Sequence, residues 1–453
     1  MPPASARRRW VHRWFLHACV TARARLVVRG RELLEGPRRP PGERPRVLVV
    51  LHDAVGGVRE TTRDLLSSLD RRFECFVLTG SPTRLELLRH TCHGLDPQGS
   101  WWLHRAWSHQ REGDAEHRAA YLALLDRVRP DLVHIRHLLG HTDELVELCH
   151  RRRVPMVLSF HDYYMACPGI HLLDDQGRYC AGQCTPSRGQ CRIPVPWLQD
   201  LPVLKAGYLD AWRGRVRAML ARIDVFVATS QASLKVLLGV YPELARRELH
   251  VIEHGRDFAA QLELATVPPV CGPVRIAVPG HMHFHKGSEF LRLLEEHDRE
   301  REDRFELHFF GTADPSLRRI GIHHGTYRRS QLPSKLAALG VSFVGIFSVW
   351  PETYCHTLTE AWAMGIPVLA SGLGAQGDRV RSHGGGWVVP VDDVAAAYRE
   401  VLRVVADPEE YRRVAARARL DGEHTVERMG RAYDHLYSRL LAARSGREHA
   451  NPG

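Results

Sequence analysis

RVLVVLHDAVGGV, residues 46–58, decides how this chain is read. An unbroken apolar run, Val47 to Leu51, leads to Gly56-Gly57 and then to the polar, helix-spaced RETTRDLLSSL of 59–69. A strand without polar alternation is buried on both faces. Strand, glycine turn and helix in that order form the unit of a parallel sheet clad by helices. The same rhythm predicts strands over 73–80, 131–137, 154–162, 224–230 and 250–255, with helices over 116–130, 141–153 and 208–222 among them.

Pro268, Pro269 and Pro273 punctuate a stretch, 256–273, after which the pattern restarts. Strands are predicted over 274–280, 305–311, 341–347, 366–371 and 385–390. Helices are predicted over 286–297 and 357–365, a turn leading into a helix over 323–339, and helical structure over 393–443 that ends in a final helix. The expected fold class is α/β, with two Rossmann-like doubly wound domains facing each other across a cleft. Residues 1–45 form a basic extension and linker, and 46–258 the first domain with a Cys-rich insertion at 163–200. Residues 259–427 form the second domain, and 428–453 a final helix and tail that packs back on the first. Ligands bind at the carboxyl ends of the strands in such sheets.

Composition narrows the class. A chain of 453 residues exceeds one core, and 44% apolar with 25% charged residues is ordinary for a globular protein. No apolar run is long enough to span a bilayer. The net charge of +11 is concentrated at the start, where residues 1–45 hold eleven Arg and three Glu. That distribution argues against a nucleic-acid groove on the globular part. Trp10, Val11, Trp14, Phe15 and Ala18 share one helix face among Arg7, Arg8, Arg9 and Arg13. Residues 1–31 therefore read as a helix on an anionic membrane surface, as a basic tail, or as a transit peptide. The expected place of the chain is the cytoplasm, peripheral at the inner face of the membrane.

The most specific segment is WPETYCHTLTEAWAMGIPVLAS, 350–371. Glu352 and Glu360 are separated by seven intervening residues, the first in a Pro-initiated turn and the second inside the helix that follows. The helix start offers free N–H groups suited to a phosphate, and a carboxylate accepts from vicinal sugar hydroxyls. The same pair also reads as two surface acids near a helix start, favoured by its dipole.

Pro-Glu-x7-Glu-Ala, the following Gly-Ile-Pro-Val and the Ser-Gly-Leu-Gly-Ala loop resemble the donor-site signature of glycosyltransferase family 4. So do Gly56-Gly57, the strand-end His161-Asp162, the Gly-x5-Lys-Gly of 280–287 and the Gly-Gly-Gly-Trp-Val-Val-Pro of 384–390. The likeness runs from about residue 46 onward and leans toward bacterial polysaccharide and O-antigen enzymes. It implies a GT-B fold and hexosyl transfer with retention, from a UDP- or GDP-type sugar nucleotide to a saccharide or lipid-linked saccharide. It implies that Glu352 holds donor-sugar hydroxyls, that Glu360 holds the ribose, and that the backbone of His356, Thr357 and Leu358 faces the diphosphate. Lys286 then neutralises the leaving diphosphate. Gly56 and Gly57 let the first loop approach the substrates, or simply make a strand-to-helix turn. His161 touches the donor sugar or is a structural histidine. Tyr327 contacts the nucleobase or packs. The family carries Arg where this chain has His281, which weakens that one contact. No metal is needed for such chemistry.

Cys167, Cys180, Cys184 and Cys191 cluster in the insertion, with His171 as an alternative ligand. Four soft ligands in a loop suit structural zinc; free thiols and a disulfide are the other readings. The insertion follows His161 directly and is expected on the acceptor side of the cleft. Asp174-Asp175 and Asp392-Asp393 read as turn acids. Two other functions compete: a sugar-nucleotide epimerase or hydrolase, which turns over without an acceptor, and a non-catalytic sugar- or membrane-binding scaffold, which binds no donor.

Overall fold

A computed structural model describes residues 43–53, 57–108, 113–184, 191, 205–420, 422 and 424–450. The reading of residues 1–31 and the Gly56 position therefore lie outside the described residues.

The first sheet holds β1 (Arg46–His52), β2 (Glu74–Gly80), β3 (Arg84–Thr91), β4 (Gly94–Trp102), β5 (Leu132–Ile135), β6 (Met156–Phe160), β7 (Val225–Ala228) and β8 (Glu248–Val251). Their spatial order is β4-β3-β2-β1-β5-β6-β7-β8. All pairings from β2 to β8 are parallel, and β3 and β4 add an antiparallel hairpin beyond β2. The second sheet holds β9 (Val274–Pro279), β10 (Phe305–Phe310), β11 (Ile322–His323), β12 (Phe343–Ile346), β13 (Val368–Ser371) and β14 (Gly386–Val389). It is wholly parallel, in the order β11-β10-β9-β12-β13-β14. Both orders reverse beside their first parallel strand, which opens a crevice at the carboxyl edge.

The apolar run of β1 explains its central place. Leu48 and Val50 enter one core cluster, and Val47, Val49 and Leu51 enter the cluster on the opposite face. Each such side chain contributes about 1.5–3 kcal/mol by leaving water, so a charge at Val49 would break this domain first. The helix Val426–Ala450 belongs to the second of those clusters through Met429, Tyr433, Leu436, Tyr437 and Leu440. The end of the chain thus covers the first sheet. Its tyrosines are tied there: Tyr437 Oη and His134 Nδ1 are 2.6 Å apart, and Tyr433 Oη and Ser159 Oγ 3.1 Å.

Several element boundaries differ from the sequence pattern. The helical stretch expected over 393–443 consists of three helices, Val394–Val405, Pro408–Ala415 and Val426–Ala450. Asp407 caps the second by accepting from Glu409 and Glu410 N–H, and Pro408 takes its first position. The helix expected from 286 begins at Ser288, because Phe284–Lys286 form a 3-10 turn. In 323–339, His323 lies in β11 and the α-helix is confined to Leu332–Leu339.

Candidate active site

The carboxyl edges of the two sheets meet at a turn and a helix of the second domain. Glu352 lies in the loop after β12, and the helix His356–Ala363 starts four residues later. Cys355, at the N-cap, takes a left-handed conformation with φ 71°. A non-glycine residue there is strained, by about 1–3 kcal/mol, and survives only where neighbours impose it. Arg379 is one such neighbour. Its guanidinium donates to the carbonyls of Tyr354 and Cys355 at 3.1 Å each and to Thr359 Oγ1 at 3.0 Å, with Tyr354 stacked beneath it at 4.6 Å.

Glu352 is 5% exposed. Lys286 Nζ donates to its Oε1 at 2.7 Å, and the Ser348 hydroxyl donates to the same oxygen. Burial, the largest influence, works to raise the Glu352 pKa, but the charge and hydrogen bond of Lys286, with hydrogen bonds from Ser348 and Cys355, together hold the carboxyl below its usual value. Lys286 is half-buried; burial works against its charge, and Glu352 more than restores it. Gly287 places this lysine. Its φ is +88°, and a Cβ there would sit 2.1 Å from the Phe347 carbonyl oxygen. The Lys-Gly turn therefore closes directly on the end of β12, which only glycine permits.

Glu360 lies about one turn into the helix His356–Ala363. It receives the Arg256 guanidinium, and Arg329 Nε approaches it at 3.5 Å. Arg329 also lies 3.9 Å from Glu60 on the helix Gly57–Leu69 of the first domain. Arg256 is 5% exposed and its Nε is buried without a partner.

From the first domain, His161 follows β6 and is buried; its carbonyl accepts from Thr353 Oγ1 at 2.7 Å. The Thr353 carbonyl in turn accepts from Thr229 Oγ1 at 2.9 Å. These two bonds join the domains beside Glu352. His161 Nδ1 is 3.3 Å from His254 Nε2, and His161 Nε2 is buried without a partner. Burial pushes the pKa of His161, His254 and His356 well down, so all three rings are neutral. Asp162 accepts from His137 Nε2 at 2.8 Å; although burial works to raise its pKa, His137 holds it low.

The remaining predicted positions fall as follows. Gly57 starts its helix where a Cβ would stand 3.9 Å from the His356 ring. Thr357 is half-buried and Leu358 fully buried. His281 is exposed, with Nδ1 2.7 Å from Thr312 Oγ1. Tyr327 is half-buried, edge-on to Phe310 at 6.3 Å, and burial raises its hydroxyl to about 12.

The described part of the insertion joins the first domain's core through Tyr163, Tyr164, Met165, Ile170 and Leu172, and it also packs against the loop that carries Lys286. His171 stacks on His285 at 4.0 Å and meets Trp350 at a tilt of 56°, centroids 4.3 Å apart, and Gly177 lies against the Phe284 ring. Cys167, Cys180, Cys184 and Cys191 are free thiols. Among the described residues no group of three or more His, Cys, Asp or Glu is gathered as a metal-binding set. Burial raises the Cys167 thiol to about 12, which keeps it protonated. Asp174 accepts from the backbone N–H groups of Gln176 and Arg178, and Asp393 from that of Ala396, both as turn or cap acids.

His254 and Arg256 are site residues that the sequence pattern did not single out. Both stand in HVIEHGRDF, just past the last strand of the first sheet. The signal that marked His161, a polar residue at the carboxyl end of a strand, marks them too. Arg379 gave no such signal, because it is helical.

Comparison with known proteins agrees with this arrangement. Residues 55–260 match the family model described as Glycosyltransferase Family 4, and residues 322–421 match Glycosyl transferases group 1, together more than half of the chain. WcaC of Escherichia coli (strain K12), assigned as a glycosyl transferase to colanic acid biosynthesis, is 28% identical over 244 residues; the match spans 52% of this chain and 56% of that protein. The chain thus aligns with little more than half the length of this relative. Sucrose-phosphate synthase from Thermosynechococcus elongatus superposes with a TM-score of 0.60 at 16% identity, over 88% of this chain and 100% of the other. HepE of Anabaena, in complex with UDP-glucose, superposes with a TM-score of 0.55 at 13% identity, over 87% and 99%. At such identities these structures speak for the fold, which is GT-B. Among the described residues no helix is long and apolar enough to cross a membrane. The two family matches, with the fold and the paired carboxylates of 352 and 360 inside it, place the chain among the family 4 glycosyltransferases.

Proposed function

We propose that this chain transfers a hexosyl group, with retention of configuration, from a nucleoside-diphosphate sugar to a saccharide or lipid-linked saccharide acceptor. One observation carries the reading: a lysine–carboxylate pair, Lys286–Glu352 at 2.7 Å, stands just ahead of a helix N-terminus in the crevice between two Rossmann-like sheets. The diphosphate takes the free N–H groups at His356, Thr357 and Leu358, where the helix end is electropositive. Lys286 swings from Glu352 to the leaving phosphate and neutralises its growing charge. Preorganised stabilisation of this kind is worth about 3–4 kcal/mol per donor in a closed site. Glu352 then accepts from the sugar hydroxyls, and Glu360 from the ribose diol. His161 meets the sugar from the first domain.

The acceptor hydroxyl oxygen bonds to the anomeric carbon on the face that the diphosphate leaves. The C–O bond to the diphosphate breaks, its electron pair stays on the phosphate oxygen, and that oxygen takes the hydroxyl proton. No protein base is required. The acceptor is assigned to the first domain, where Trp107, Tyr164 and Trp212 line a pocket with Asp143 and Arg215. Aromatic faces with a few charged groups suit a sugar ring. A UDP- or GDP-type donor is favoured, since a neighbour in fold binds UDP and UDP-glucose. Residues 1–31 are proposed to bring the enzyme to an anionic membrane surface, on sequence grounds.

Melting the protein with UDP, GDP, UDP-glucose and GDP-mannose tests the donor site. A ligand at a hundred times its Kd stabilises by about 2.7 kcal/mol. One nucleotide series should shift the melting temperature in the parent, and neither Glu352→Ala nor Lys286→Ala should respond. A flat response to all four ligands would leave the scaffold reading in possession, and sugar release without an acceptor at full rate would favour the hydrolase.

A further inference from the structure

Three imidazoles stand in a row where the domains meet. His161 follows β6, His254 follows β8, and His356 starts the helix His356–Ala363. His161 and His254 have centroids 5.1 Å apart and planes within 6°; His254 and His356 are 5.2 Å apart and within 18°. The middle ring is also met edge-on by Tyr354 at 5.1 Å and 79°. His254 is 5% exposed, so this clamp fixes its orientation.

The hydrogen bond within the row is specific. His161 Nδ1 faces His254 Nε2 at 3.3 Å. The other nitrogen of His161, Nε2, is buried and unpartnered, on a side chain that is 8% exposed. Burial keeps both rings neutral, so each carries one ring proton. Where two neutral imidazoles meet nitrogen to nitrogen, one supplies N–H and the other a lone pair. The tautomer of His254 therefore dictates that of His161, and with it whether the open Nε2 donates or accepts. A buried polar atom left without a protein partner awaits a ligand group or carries a penalty of about 1–3 kcal/mol.

We infer that His254 is a positioning residue of the transfer reaction, holding the ring and tautomer of His161 so that Nε2 meets the bound sugar. The inference rests on the transferase reading, in which His161 contacts the donor sugar. His254 touches no substrate itself. Although its ring stacks on that of His356, the nucleotide is anchored by backbone N–H groups of the second domain, which a change of the His254 side chain leaves in place.

Three variants with UDP-glucose and GDP-mannose as probes test it. His254→Leu removes the hydrogen bond at similar volume. His254→Gln carries an amide whose end reaches the place of Nε2, whereas His254→Asn stops short. Hydrolysis of the sugar nucleotide, read as released UDP or GDP, should fall roughly tenfold to a hundredfold in His254→Leu and His254→Asn. His254→Gln should recover most of it. The melting shift given by UDP or GDP alone should stay at the parental size in all three. Parental turnover in His254→Leu would overturn the inference. So would a Gln variant as slow as Leu, or loss of turnover and nucleotide shift together, which marks a merely structural role. A parent protein that shows neither shift nor turnover would instead bring down the transferase reading, and this inference with it.

Discussion

Lys286→Met isolates the central ion pair. The substitution keeps the length and apolar stem of the side chain and deletes its charge. Glu352, 5% exposed, then keeps its hydrogen bond from Ser348 but loses its counter-ion. Removing one partner of a fully buried pair costs about 3–5 kcal/mol. Lys286 is 31% exposed, so water already screens part of the attraction, and about 2–3 kcal/mol is the working figure. For a domain of this size that corresponds to a fall in Tm of roughly 5–10 °C. The pH dependence follows from the sign of each shift. In the parent, Glu352 titrates below 4.5, so its contribution is present above that pH and is lost as pH falls through the folded value. In the variant, burial is opposed only by the hydrogen bonds from Ser348 and Cys355 and raises the pKa, so the penalty is present at neutral pH and fades on acidification. The Tm gap between parent and variant should therefore narrow as pH falls from 7 toward 4.5. Glu352→Gln added to Lys286→Met should restore stability at pH 7 without restoring the nucleotide shift. A gap under 1 °C at pH 7, or one that widens in acid, would show that the pair does not hold this loop.

Other perturbations follow from the packing. Gly177→Ala places a Cβ at φ +78°, 2.1 Å from Phe284, so calorimetry should show a loss of more than about 1–2 kcal/mol, and titration weaker UDP or GDP binding through the displaced Lys286 loop. His171 titrates at about 3 because burial disfavours its charge, whereas the unfolded chain protonates near 6.5; stability should fall as pH drops below 6.5. The chemical-denaturation curve of His171→Leu should be flatter between pH 6 and 4, by up to about 1.4 kcal/mol per pH unit. Tyr437→Phe leaves buried His134 without its 2.6 Å partner, and urea unfolding should report a loss of about 1–3 kcal/mol.

What was legible in the chain was legible because it is local. The β1 run Val47–Leu51 carries no polar alternation, and both of its faces are in fact buried. Glu352 and Glu360 are eight positions apart along a turn and a helix, so their joint placement needs no distant partner. The hairpin β3–β4 was harder to read. Its inner face is only Leu85 and Leu87, Pro97 interrupts the second strand, and Trp102 stays 69% exposed at the edge.

The amino-acid sequence by itself determined the strand–helix alternation, the two doubly wound units and the acid pair of the second. Each of these follows from side-chain spacing over fewer than twenty residues. Only the tertiary structure decided which loops face each other. It brought His254 beside His161, 93 residues away, put Arg256 on Glu360, 104 residues away, and laid the insertion against the lysine loop. These contacts depend on the order β6-β7-β8 and on how the domains close, and both are set by burial summed over the whole chain. No window of sequence records that sum.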